Sequence, residues 1–97
     1  MKLFEILVPA NRDVNEHWAW DAKVVLIAGG MSILPTIRGR WQANPQTVIV
    51  SEQMIPVRIA ATDDQMFEIA QMTAKHYQQK SVMYYVISSE ALIVSLV

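Results

Sequence analysis

The chain has 97 residues, of which 53% are hydrophobic and 18% charged, with a net charge of −1 and no cysteine. That length supports one domain over residues 1–97; the missing cysteines exclude disulfides and Cys-ligated zinc, and the scattered Lys and Arg give no basic stripe for nucleic acid. The charged share is below the usual quarter, so the apolar surface exceeds what one small core hides, and a homo-oligomer is expected.

Leu3–Val8 reads as a short apolar strand closed by Pro9. Glu5 inside it, and the lack of a small-residue cleavage site, argue against a leader peptide, which places the protein in the cytoplasm. Ala10–Glu16 reads as a loop, with a helix beginning near Asn15 and running through HWAWDAKVVLIA to a stop at Gly29 and Gly30. Its run Val24–Ala28, extended to Met31, is too short to cross a bilayer. Met31–Trp41 is a second strand with Pro35 inside it, hence an edge or bulged strand. QANPQ (42–46) is a turn. Thr47–Ala61 is a third strand, interrupted at Pro56. Thr62 and Gln65 have the spacing of a capping box, and Asp63 and Asp64 suit the positive end of the helix that follows. Met66, Ile69, Ala70, Thr73, Ala74 and Tyr77 form one face of that helix. Ser81–Ile87 is a fourth strand, and Ala91–Val97, after a turn at Ser88–Glu90, a further one.

The order is β-α-β-β-α-β plus a C-terminal strand. This is the α+β, ferredoxin-like pattern: an antiparallel sheet with both helices on one face. Val82, Tyr84 and Val86 alternate with Met83, Tyr85 and Ile87, so the fourth strand is apolar on both sides. Strands of that kind are buried on both sides. The second sheet face is therefore expected against sister subunits, in a trimer or a face-to-face dimer.

The catalytic inventory is sparse. His17 and His76 lie on different helices without a carboxylate at ligand spacing, so no metal site is expected. No nucleophile elbow, phosphate loop or dinucleotide fingerprint is present. Trp18 and Trp20 read as packing anchors and the six methionines as core filler. The residues that stand out are Arg40 and Trp41 after Gly39, Glu52 at the head of the third strand, and Arg58 six residues on. Glu52 and Arg58 share a face unless a bulge at Pro56 intervenes. Tyr84 and Tyr85 face opposite sides, and one of them is a candidate to line a pocket between subunits.

FEILVPANR (Phe4–Arg12), GRW (Gly39–Trp41), Val57-Arg58-Ile59 and Lys75–Val82 occur in an order and at spacings that resemble the small phage-type S-adenosylmethionine lyases. The resemblance spans nearly the whole chain. It implies a ferredoxin-like trimer related to PII-type signalling proteins, with a nucleotide-like ligand bound between subunits. It also implies a reaction without cofactors, in which the substrate's own carboxylate displaces its sulfonium to give homoserine lactone and methylthioadenosine. On this resemblance Glu52 is the catalytic carboxylate, brought to the family's spacing by a bulge at Pro56. Trp41 stacks on adenine and Arg58 orients the carboxylate, with Arg40, Tyr84 and Asn11 completing the ligand-binding set. Two other readings stand beside it: a non-catalytic PII-like sensor or phage nucleotide sponge, and a structural subunit.

Overall fold

The computed structural model describes residues 1–42 and 49–96. The expected turn at QANPQ falls mostly outside the described residues, as do the expected start of the third strand at Thr47 and the end of the chain at Val97. In chain order the elements are β1 (Lys2–Pro9), α1 (Val14–Ala28), β2 (Ser32–Ile33), β3 (Ile37–Gln42), β4 (Ile49–Ala61), α2 (Asp63–His76) and β5 (Tyr84–Ser88). The fold is α+β and ferredoxin-like, with two helices and an antiparallel sheet of five strands among the described residues. β1 is central between β4 and β5, and β4 carries both β2 and β3 on its far side.

Local chemistry fixes the helix ends. Asp13 caps α1 by accepting the Asn15 N–H at 2.7 Å, satisfying a donor that has no partner within the helix. Gly29 ends α1 at φ 89°, the left-handed conformation in which a side chain is strained, and its N–H returns to the Val25 carbonyl. The capping box of α2 is fully formed: Thr62 Oγ1 accepts the Gln65 N–H at 3.2 Å, and Gln65 Oε1 accepts the Thr62 N–H at 2.9 Å. Gln65 also donates to the Ile27 carbonyl at 3.2 Å, tying the start of α2 to the end of α1.

Alternation along the strands sorts the core. Phe4, Ile6 and Val8 of β1 stand beside Ile59, Val57 and Ile55 of β4, in that order. These residues pack on Trp20 and Val24 of α1 and on Met66, Ile69 and Tyr77 at α2. Trp20 and Thr73 cross-link the helices through an indole N–H donated to Oγ1 at 2.9 Å. His17 and His76 join the same seam. The carbonyls of Ala10 and Glu16 can only accept, so the Nε2 of each ring donates to them, at 3.1 and 2.7 Å. That leaves His17 Nδ1 to accept from the Tyr77 hydroxyl at 2.7 Å and His76 Nδ1 to accept from Lys23 at 3.1 Å.

The bulge expected in β4 lies in its neighbour. Pairing runs without a shift from Met54 to Ala61 against β1 and from Ile49 to Met54 against β3. On the β2–β3 side, three residues, Leu34–Thr36, stand opposite two, Ile55 and Pro56. The Pro56 carbonyl accepts the Leu34 N–H at 2.9 Å. In an antiparallel strand the nitrogen of a residue faces the same side as its carbonyl. The donor that Pro56 lacks would therefore fall in this interruption, and no bond to β1 is lost. The stretch expected as one strand, Met31–Trp41, is thus divided around Pro35 into β2 and β3.

The strand expected over Ala91–Val97 is not formed in residues 91–96. Both edges of β1 are already occupied by β4 and β5. The Ser88 hydroxyl, which donates to the Glu90 carbonyl and accepts its N–H, turns the chain toward the start of β1, where the Ala91 N–H meets the Met1 carbonyl at 2.9 Å. Leu92, Ile93, Val94 and Leu96 are left 73–97% exposed.

Candidate functional site

The sheet face away from the helices carries Leu3, Glu5 and Leu7 of β1, beside Ala60, Arg58 and Pro56 of β4, and Tyr85 opposite Glu5 on β5. A charged residue among apolar neighbours needs partners. Glu5, 7% exposed, has two: its Oε1 accepts Arg58 Nε–H at 3.0 Å, and its Oε2 accepts the Tyr85 hydroxyl. Tyr85, and after it Arg58, hold the Glu5 carboxyl below its ordinary range against the upward push of burial. The carboxylate in turn raises the Tyr85 phenol. Because β4 has no bulge, Glu52 and Arg58 do share a face. Six residues of strand separate them by roughly 20 Å, and the carboxylate that Arg58 meets is Glu5.

Toward one end of the same face a cavity of about 420 Å³ opens. Gly39, Arg40 and Trp41 of β3 form one wall, Leu7 and Met54 the floor, and Gln79 with Ser81–Met83, leading into β5, the opposite wall. The Trp41 indole lies back over Gly39: a Cβ built at Gly39 would stand 2.8 Å from the ring. Glycine is what allows an aromatic to fold along its own strand here. Across the cavity the chain leaves α2 through Gln78, whose φ of 53° is left-handed. Gln78 N–H returns to Lys75 and Gln79 N–H to Ala74, the paired bonds of a Schellman end. That turn delivers Gln79 to the cavity wall, where its Oε1 is buried with no hydrogen-bond partner among the described residues.

The residues singled out in the sequence are therefore distributed. Trp41 and Arg40 line the cavity. Glu52 is the strand partner of Gly39. Arg58 lies further along the sheet with Glu5. Tyr84 is on the helix side, edge-on to Phe4 at 6.0 Å; Tyr85 is the tyrosine on the open face. Asn11 lies exposed in the loop before α1, not among the cavity-lining residues. Sequence reasoning passed over Glu5 and Gln79. Glu5 had a readable signal, a lone carboxylate in a strand whose alternate positions are all apolar. The Gln79 position follows from the Gln78 turn, which sequence does not announce. Among the described residues no three His, Asp or Glu side chains gather as a metal site, and no helix is long and apolar enough to cross a membrane.

No family model matches the chain, and no curated protein sequence does. Solved structures do. CutA1 from the psychrotrophic bacterium Shewanella sp. SIB1 superposes with a TM-score of 0.70 at 13% identity, over 94% of this chain and 82% of that one. The divalent cation tolerance protein CutA1 from Thermus thermophilus gives 0.67 at 15% identity, over 94% and 86%. A phage SAM lyase in complex with S-methyl-5′-thioadenosine gives 0.65 at 13% identity, over 94% and 92%. At these identities the likeness is one of fold. That fold is common to the CutA1 proteins and the phage lyase, and it does not single out the lyases.

Proposed function

We propose that the chain forms a homo-oligomer, most simply a trimer, and binds a nucleotide-type ligand in the Trp41 cavity, closed by a neighbouring subunit. The observation that carries this is the cavity's chemistry. An indole forms one side, and on the other a buried amide oxygen lacks a donor. Buried polar groups are normally satisfied, and a flat base with an exocyclic amino group offers both a stacking face and that donor. The cavity's size lies within the range of small-molecule sites. The oligomer is supported by the open face and by the β3–β4 arm. Among the described residues, 49–52 of β4 pair with β3 alone, and an isolated two-stranded ribbon is marginal in water.

The likeness in fold to a phage SAM lyase in complex with S-methyl-5′-thioadenosine favours an adenosine thioether or sulfonium as the ligand. On that reading the substrate's carboxylate attacks the carbon bearing the sulfonium, the C–S bond breaks, and the electron pair leaves with the thioether. The protein's task is to fold the substrate into attack geometry in a dry pocket, with Trp41 stacking on adenine and Glu52, opposite Gly39, balancing the sulfonium charge. Arg58 is already held by Glu5 and contributes through the sheet. The test is incubation with S-adenosylmethionine alongside thermal melts with methylthioadenosine. We expect stabilisation that Trp41→Ala removes, and turnover that Glu52→Gln removes. Stabilisation without turnover would leave a PII-like nucleotide binder or sponge, and no response to S-adenosylmethionine, methylthioadenosine or ATP would refute the site.

A further inference from the structure

On the opposite side of the sheet, a second cavity of about 220 Å³ lies between α1 and the strands β2 and β4. Its floor is apolar, built from Val8, Ile33, Ile55 and Val57; its α1 side presents His17, Trp18 and Asp21. Trp18 and Asp21 are three residues apart and so neighbour one another on the helix surface. The Trp18 indole is 64% exposed, an unusual position for the largest apolar side chain.

Asp21 is half-buried, and among the described residues it carries no hydrogen bond or ion pair. Burial raises its carboxyl above the ordinary range, with His17 acting electrostatically in the opposite direction. His17 offers it no proton, because both ring nitrogens are engaged, by Ala10 and by Tyr77. A carboxylate over an apolar floor, beside an indole and with the ring nitrogens of its neighbour His17 bonded elsewhere, is an incomplete arrangement. An alkylated ammonium ion completes it: its methyl groups suit the floor, its charge suits the ring face and the carboxylate, and it needs no hydrogen-bond donor.

We propose that this cavity binds a small organic cation bearing an alkylated ammonium group, held between the Trp18 indole and the Asp21 carboxylate. This site is separate from the Trp41 cavity and does not depend on its ligand. The test is a titration of the full chain with tetramethylammonium chloride, against sodium chloride at equal ionic strength and against neutral tert-butanol. Indole N–H resonances are the readout, with Trp18→Phe used to assign the Trp18 signal. A saturable shift of the Trp18 signal is expected, with Trp41 unmoved. Asp21→Asn, which keeps shape and removes charge, should weaken binding by about tenfold. Trp18→Leu, at an exposed position that leaves the core intact, should abolish the effect as read from the α1 amides. Absence of a saturable shift, an equal response to tert-butanol, or unchanged affinity in both variants would overturn the proposal.

Discussion

Glu5→Gln isolates the one buried carboxylate described on the open face. The change keeps shape and an acceptor for Arg58 but removes the charge that both partners use. A hydrogen bond to a charged group contributes roughly 1.5–3 kcal/mol, and a neutral one about 1 kcal/mol. The Arg58 side chain is 42% exposed, so its part is discounted toward the ~0.2–1 kcal/mol of solvent-screened pairs. The expected loss is ~1–2 kcal/mol at neutral pH, a fall in Tm of roughly 5–15 °C for a domain of this size. Melts followed by circular dichroism, at fixed protomer concentration because assembly shifts the apparent Tm, measure it. The pH dependence is the sharper check. The folded-state pKa of Glu5 lies below its unfolded value near 4.5. Its contribution is therefore fully present above that value and is lost as pH falls through the lowered folded pKa. Tyr85 has the opposite sign: its folded pKa is raised, so its contribution is present below about 10 and lost as pH rises through the folded value. Wild type and Glu5→Gln should differ most between these limits and converge at either end. A difference that is constant from pH 3 to pH 8 would show that the carboxylate's charge is not what stabilises this face.

Three further substitutions test other links. Gly39→Ala places a methyl group against the Trp41 ring, 2.8 Å away. Because the indole can swing outward, the stability loss should stay below ~1 kcal/mol, while the near-ultraviolet spectrum and affinity for a base-containing ligand change; an unchanged spectrum would contradict the packing. Gln78→Gly relieves a side chain held at φ 53° and should stabilise by about 0.5–1 kcal/mol, seen as a Tm rise of a few degrees. Tyr77→Phe removes the donor that His17 Nδ1 accepts and should cost roughly 1–3 kcal/mol; a Tm equal to wild type would mean water replaces the phenol.

How much of this was legible in the chain varies with the range of the interaction. Both helices, the Gly29 stop, the Thr62–Gln65 capping box and the buried face Met66–Tyr77 follow from local signals and spacings of three and four residues, whereas the Asp13 cap of α1 fell inside a stretch read as loop. The antiparallel order and the two-sided apolar character of the sheet follow from a period of two. What failed was non-local. The apolar stretch 91–96 has the composition of a strand, yet the turn at Ser88–Glu90 carries it away from the outer edge of β5 to the start of β1, whose two edges β4 and β5 already occupy. Pro56 looked like a bulge until the neighbouring strand absorbed the extra residue at Leu34–Thr36. Sequence paired Arg58 in prospect with Glu52, six positions away; the sheet paired it with Glu5, 53 positions away, since register, not proximity along the chain, decides which charges meet. The sequence by itself determined which side chains share a face. Tertiary structure decided which of those faces are covered and which partners each charge finds, because both depend on strand neighbours that a local period cannot encode.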